Sequence, residues 1–268
     1  MGIGIFWGER VIFMNGIRIC CAGNTAALQF ACRNLSQRGF EITPKPAKDV
    51  THLLLPVPSL ESDGRIRGGG IPAHILADLP ERVTIVGGNI GSLALHNQTI
   101  IDLLHDTQYV AQNAAITADC AIRVAREHMT RVWSKCPVLV IGWGRIGKCL
   151  ADQLRALGAD VTVTARKESD IATLRALGYR AVSTSLLGRE LNRCLVIFNT
   201  VPATVLSKED CLECDPDCVK IELASQPGIE DPNVIQALGL PSKYAPETSG
   251  RLIADTLIRL LRRKELFV

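Results

Sequence analysis

Two doubly wound α/β units with parallel sheets, joined by long helices, are the fold class that the 268-residue sequence predicts. Three observations carry the expectation. Short apolar runs alternate with stretches of helical period along the chain, the pattern of strands and helices taken in turn. The alternation occurs twice, with one long helical stretch between the two series. The second series opens on VLVIGWGRIGKCL (138–150), a buried-strand run followed by a G-x-G-x-x-G turn and the start of a helix. That is the local order of a Rossmann dinucleotide-binding unit.

From the N-terminal end, IRICCAG (17–23) reads as a short buried strand and TAALQFACRNLSQRG (25–39) as a helix ending at Gly39. THLLLP (51–56) and RVTIVGG (82–88) read as further strands, with helical stretches near IPAHILADL (71–79) and NQTIIDLLHD (97–106). A long helix follows from Ala114 to Trp133, apolar on one side and carrying Arg123, Arg126, Glu127 and Arg131 on others. The second series has the strand VLVIG, the helix KCLADQLRALG, the strand DVTVTA and the helix SDIATLRALG. Then come the strands RAV, CLVIFNT and VKIELA and a final helix over 248–265. The predicted boundaries are 1–115 for a flavodoxin-like N-terminal unit, 116–133 for the joining helix and 134–247 for the Rossmann unit. The final helix, 248–268, is expected to pack back on the first unit. IRICCAGNTAAL echoes VLVIGWGRIGKCL, but only Gly23 survives from the glycine triplet. The N-terminal unit is therefore a poor phosphate cradle and is assigned to substrate binding.

Composition excludes several classes. Apolar residues make up 47% and charged residues 21%, too apolar for a disordered chain. A formal charge of +3 without a block of like charges gives no nucleic-acid tract. No apolar run approaches the roughly 18 to 20 residues that cross a bilayer. The opening MGIGIFWGERVIFMNG lacks a basic start and is interrupted by Glu9 and Arg10, so it is not read as a signal peptide. The expected location is the cytoplasm. Cysteines such as Cys20, Cys21, Cys32, Cys120 and Cys149 fall within apolar patterns, as small buried hydrophobes do, and are expected to be reduced. Cys211, Cys214 and Cys218 form C-x-x-C-x-x-x-C, but no histidine follows His128 to complete a set of ligands. The segment is read as a loop, and no metal is assigned.

The glycine turn implies close approach of a ligand to bare backbone. Gly142 permits the tight turn, Gly144 lets a pyrophosphate reach the helix N-terminus, and Gly147 lets the helix pack on the strand. Trp143, Arg145 and Ile146 complete the loop. At the end of the next strand, Ala165 stands where an NAD-specific carboxylate would sit, followed by Arg166, Lys167 and Ser169. Two cations and a hydroxyl suit a 2′-phosphate, so NADP(H) is expected over NAD(H). A solvent-facing or adenine-stacking Arg166 is the alternative. All five histidines (His52, His74, His96, His105, His128) precede the glycine turn. A histidine–carboxylate acid/base contributed late in the chain, as 2-hydroxyacid dehydrogenases use, is therefore disfavoured.

Five segments point further. QNAAITADCAIRVA, VLVIGWGRIGKCLADQLRALGADVTVTAR, FNTVPATVL (198–206), ELASQPGIED (222–231) and GLPSKYAPETSGRLIADTL (239–257) occur in this order. Over residues 108–260 the chain resembles the A subunit of dipicolinate synthase. The resemblance implies a cytoplasmic oxidoreductase of spore-forming bacteria. It would work with a flavoprotein-like B subunit, oxidising a dihydrodipicolinate-type cyclic dicarboxylate to dipicolinate while reducing NAD(P)⁺. The chain departs from the family in a shorter N-terminal part and in Asp119, where members more often carry Glu.

The resemblance and the expected strand ends nominate site residues. Asn199, Thr200, Val201 and Pro202 are placed by the nicotinamide ribose and ring, with Ala224 and Ser225 edging the same cleft. Asn89, Thr117, Thr248 and Ser249 are candidates for binding the dicarboxylate. Ser59, Asp119, Lys243 and Glu247 are candidates for the chemistry itself. A homo-oligomer through the joining or final helix is expected. Two alternatives remain open: a dehydrogenase of another small carboxylate, and a non-catalytic dinucleotide-binding regulatory subunit.

Overall fold

The computed structural model describes residues 16–43, 49–91 and 98–265. Residues 1–15, read above against a signal peptide, and His96 lie outside the described part. The chain divides into two compact units, one of 1–110 with 246–268 and one of 111–245. Among the described residues no helix is long and apolar enough to cross a membrane.

The first unit holds β1 (Arg18–Cys21), α1 (Ala26–Gln37), β2 (Glu41–Thr43), β3 (His52–Leu54), β4 (Thr84–Gly87) and β5 (Ile100–Asp102). Its strands are all parallel in the order β2-β1-β3-β4-β5. This is the flavodoxin-type order, which reverses direction between β1 and β3. Thr25 starts α1 by accepting the Leu28 N–H at 3.2 Å, and Ala27, Leu28, Ala31 and Leu35 form its buried stripe. The C-terminal helix (Pro246–Glu265) lies along α1. A Cβ on Gly250 would stand 2.5 Å from both the Ala27 carbonyl oxygen and Phe30 Cβ, so only glycine permits this approach. Arg38 pairs with Asp255 and Arg259 with Asp106, each at 2.5 Å.

Several elements differ from expectation. NQTIIDLLHD, expected as helix, supplies β5 and a 3-10 turn (Leu103–His105). Ile100 and Ile101 pair with Ile85 and Val86, and the Asp102 carboxylate then accepts the N–H groups of Leu104 and Ile90, ending the strand. IPAHILADL forms only a 3-10 segment (Ala73–Asp78), burying Ala73 and Leu76, too small an apolar face to hold an α-helix. The helix expected over 116–133 is α2, Thr107–His128. It begins earlier because Asp106 accepts the Tyr109 N–H at 2.7 Å. It ends earlier because Trp133 leaves the helical path to enter the core, while the Arg126 guanidinium donates to the carbonyls of Met129 and Arg131. Cys21 and Cys32 are joined as a disulfide, correcting the expectation of reduced thiols at those positions. The helix α1 turns back over the strand it follows and brings the two sulfurs together.

The second unit takes most of α2 and adds β6 (Pro137–Ile141), α3 (Arg145–Ala156), β7 (Asp160–Ala165), α4 (Glu168–Ala176) and β8 (Arg180–Ser183). A 3-10 segment (Thr184–Arg193) leads to β9 (Val196–Asn199), α5 (Lys208–Leu212), β10 (Val219–Glu222), β11 (Ile235–Gln236) and α6 (Leu240–Tyr244). All strands are parallel in the order β11-β10-β9-β6-β7-β8. Counted from β6 this is the 3-2-1-4-5-6 order of a dinucleotide-binding sheet, with its reversal between β6 and β9. Val138, Leu139, Val140 and Ile141 are fully buried, as a central parallel strand covered on both faces requires.

Candidate functional site

The turn after β6 leaves the sheet at the reversal point. Gly142 adopts φ +106°, and a Cβ there would lie 2.6 Å from Thr200 Oγ1 and 2.8 Å from Val201 Cγ2. A Cβ on Gly147 would lie 2.1 Å from the Gly142 carbonyl oxygen. Gly144 is different: nothing stands within 4 Å of its would-be Cβ. It is the N-cap of α3, and no side chain caps that helix. The result is an open, side-chain-free cradle of amide groups at the positive end of a helix dipole, which fits the pyrophosphate of a dinucleotide. Arg145 is exposed and Ile146 packs against the core. Trp143 also packs inward, its ring edge-on to Tyr179 at 5.9 Å with Lys148 5.6 Å from its centroid.

At the end of β7, Ala165 is buried and Arg166, Lys167 and Ser169 are exposed. Among the described residues neither cation has an ion-pair partner. Glu168 and Asp170 do occupy the first turn of α4, so the segment is not free of negative charge. They compensate the helix dipole.

The turns after β9 and β10 are held by a buried network. Asn199 and Glu222 are fully buried and stand opposite each other in the β9–β10 register. Asn199 Nδ2 donates to Glu222 Oε1 and Oε2 at 2.9 and 3.1 Å and to the Val201 carbonyl at 3.0 Å, and Asn199 Oδ1 accepts the Val201 N–H at 2.9 Å. Glu222 further accepts the N–H groups of Ala224 at 3.0 Å and Gly228 at 2.7 Å. Thr200 Oγ1 donates to the Ile141 carbonyl at 2.9 Å. The Asn199 and Thr200 side chains, nominated as cofactor contacts, are thus consumed inside the protein and shape the turns instead. Pro202 and Ser225 are exposed beside them, Val201 is half-buried and Ala224 buried. Glu222 escaped the sequence reading. Its signal was a carboxylate at the end of the buried strand VKIELA, where a ligand-facing turn begins.

The other nominated residues are divided between the two units. Ser59 is fully buried, donating to the Pro56 carbonyl and accepting the Gly88 N–H, each at 2.9 Å, so its hydroxyl ties a loop and is withdrawn from the chemistry. Asn89 is an exposed turn residue at φ 59°. Thr117 is buried and donates to the Asn113 carbonyl within α2, while Asp119 is exposed on the same helix. Lys243 is exposed on α6, over the Tyr244 ring. Glu247, Thr248 and Ser249 lie in the opening turns of the C-terminal helix, which starts at Pro246. Glu247 reaches Arg251 at 3.9 Å, and the buried Ser249 hydroxyl has no acceptor. No group of His, Cys, Asp and Glu among the described residues could hold a metal. The Cys214 thiol instead donates to the Asp210 carbonyl at 3.6 Å, and Lys220 on β10 forms an ion pair with Asp231.

Arg67 was also overlooked. It lies in the loop after β3, at the reversal point of the first sheet, and is half-buried. Its Nη2 donates to the Leu60 carbonyl at 3.0 Å, its buried Nε has no acceptor, and it has no carboxylate partner among the described residues. An arginine within a glycine-rich loop following a strand was the available sign. A cavity of about 400 Å³ in the second unit lies at the opposite edge of the sheet, where β6, β7 and β8 begin, lined by Arg155, Tyr179, Arg180 and Arg193. Ligands of open parallel sheets bind at the carboxyl ends of the strands, so the shallow glycine cradle and not this cavity is the candidate site.

Residues 100–210 match the family described as D-isomer specific 2-hydroxyacid dehydrogenase, NAD binding domain. The chain is 29% identical over 170 residues to the A subunit of dipicolinate synthase of Bacillus subtilis (strain 168), covering 60% of this chain and 57% of that protein. The crystal structure of the dipicolinate synthase A subunit from Bacillus halodurans superposes with a TM-score of 0.80 at 25% identity, over 92% of this chain and 98% of that one. In sequence and fold the chain is similar to the dipicolinate synthase A subunit. A crystal structure of the corresponding chain from Bacillus subtilis agrees in fold, with a TM-score of 0.80 at 23% identity over 96% of this chain and 99% of that one. The glycine turn falls inside the domain match, which supports a nicotinamide dinucleotide as cofactor and an oxidoreductase as the class of enzyme. The match lies in the NAD-binding domain alone, and no histidine follows His128.

Proposed function

We propose that the protein is an NADP-linked oxidoreductase that converts a dihydrodipicolinate-type cyclic dicarboxylate to dipicolinate, in the cytoplasm and with a B-type partner subunit. The observation that carries this reading is the side-chain-free N-terminus of α3 at the β6–β9 reversal point. The homologue's name supplies the substrate class and the partner. When bound, the cofactor supplies a hydride acceptor, and aromatisation of the ring supplies driving force. The chain's own residues bind and orient. Amides at the start of α3 hold the pyrophosphate, and Arg166 and Lys167 meet the 2′-phosphate. In the first unit Arg67 offers a guanidinium that no protein carboxylate among the described residues neutralises, suited to a substrate carboxylate.

Two measurements test the reading. Replacing Arg166 and Lys167 together with alanine is expected to weaken NADP⁺ by about tenfold or more, the worth of a charge-assisted contact, while NAD⁺ affinity holds. Tighter NAD⁺ than NADP⁺ binding by the wild type, with the variant neutral, would sink the NADP assignment. Arg67→Met is expected to raise KM for the dicarboxylate by about tenfold with the NADP⁺ dissociation constant unchanged. An unchanged KM removes Arg67 from the substrate site. Binding of NADP⁺ without turnover in the presence of the partner would favour a regulatory role instead.

A further inference from the structure

We propose that Glu222 is the positioning residue for the nicotinamide-bearing half of the dinucleotide. The inference rests on the dinucleotide reading above and assigns the half of the site that the glycine turn does not explain. A sheet of this order is two mononucleotide-binding halves. The half built on β6, β7 and β8 has the glycine cradle and the Arg166–Lys167 segment, and so serves the pyrophosphate and adenosine. The half built on β9, β10 and β11 must shape the other end, and no glycine triplet marks it.

What shapes it is a single carboxylate. Asn199 Nδ2 and the amides of Ala224 and Gly228 all donate to Glu222, with no partner that needs a proton from it. Such a set satisfies an ionised carboxylate and no neutral isostere. A glutamine in its place would turn an NH₂ toward at least one of these N–H donors. The bonds also run outward from the core. Ala224 and Gly228 belong to the turn after β10, and Asn199 passes the constraint on to Val201 in the turn after β9. Val201 Cγ2 and Thr200 Oγ1 in turn fill the space beside Gly142, so that one carboxylate is linked to both late turns and to the phosphate turn. Gly228 is pressed into the same knot: a Cβ there would lie 2.4 Å from Asn199 Nδ2 and from the Ala203 carbonyl oxygen.

The test compares two ligands on three proteins: NADP⁺ and 2′-phospho-ADP-ribose, which lacks nicotinamide, titrated against wild type, Glu222→Gln and Asn199→Ala. Thermal melting of each unliganded protein is measured in parallel. A positioning role predicts that Glu222→Gln weakens NADP⁺ by about tenfold or more while the fragment changes by less than about twofold. Asn199→Ala, which keeps both backbone donors on Glu222, should show the same asymmetry with a smaller loss, and it carries the test if Glu222→Gln does not fold. Equal losses for both ligands, or no loss for either, would overturn the proposal, since a purely structural residue cannot separate them. A wild type that binds neither these two ligands nor NAD⁺ and ADP-ribose overturns the dinucleotide reading and this inference with it, and that failure is visible before any variant is made. A wild type that binds only the NAD⁺ pair sinks the NADP assignment, and the same comparison is then read with that pair.

Discussion

Gly144→Ala is expected to leave the protein folded while weakening NADP⁺ by at least about tenfold, whereas Gly147→Ala should destabilise the second unit by about 3 kcal/mol. The two glycines are three residues apart and do opposite jobs. Gly144 sits at φ −80° and ψ −169°, extended backbone open to any residue, and a methyl group there would meet no protein atom within 4 Å. Folding does not need that space, which leaves the helix N-terminus open to a ligand. A methyl group in it intrudes where the pyrophosphate approaches the α3 amides, and each displaced charge-assisted contact costs about 1.5 kcal/mol or more. At Gly147 the intruding Cβ would lie 2.1 Å from the Gly142 carbonyl oxygen, a backbone atom of the buried turn that cannot swing aside. Helix α3 would have to lift from β6. Titration with NADP⁺ and thermal melting of both variants check the pair. Full nucleotide affinity in Gly144→Ala would remove the phosphate from this turn, and a normal melting point for Gly147→Ala would show that α3 can re-seat.

Why some elements were legible and others not follows from what each depends on. Strand β6 and its turn were legible because a central parallel strand is a continuous apolar run and its glycines are local punctuation. Strand β5 was not, because a short apolar run such as TIIDLL has no period long enough to separate strand from helix. Its identity is decided by Ile85 and Val86 on the neighbouring strand. The two residues of β11 carry no pattern at all; Ile235 and Gln236 are strand only because β10 has a free edge there. The same distinction runs through the candidate site. Cradle glycines announce themselves locally, while Ser59, Asn199 and Thr200 looked available to a ligand because their partners Gly88, Glu222 and Ile141 are remote in the chain. Polar side chains at strand ends are read wrongly from sequence whenever a neighbouring strand supplies the matching donor or acceptor.

Lys220→Met is expected to cost about 3 kcal/mol of stability near neutral pH, measured by urea unfolding, with a cost that shrinks in acid. Lys220 Nζ lies 2.9 Å from Asp231 Oδ2, with side chains only 9% and 11% exposed. Removing the cation leaves a carboxylate in a site that water barely reaches. Burial works to raise the Asp231 carboxyl, but the Asn233 amide and the Lys220 ammonium outweigh it and hold the group below its ordinary value. Burial likewise works against the Lys220 ammonium, yet its hydrogen bond to the Asp231 carboxylate and that group's charge leave it above its ordinary value. A depressed carboxyl contributes stability that is present above its unfolded value, about pH 4, and lost as pH falls through the folded one. A raised lysine contributes below its unfolded value, about pH 10.4, and loses that contribution as pH rises further. In the methionine variant Asp231 gains by accepting a proton, so the gap between wild type and variant should narrow below about pH 4. A gap that stays constant down to that range would mean that the loss came from packing around the lysine stem, and the charge pair would not be what holds β10 to the segment before β11.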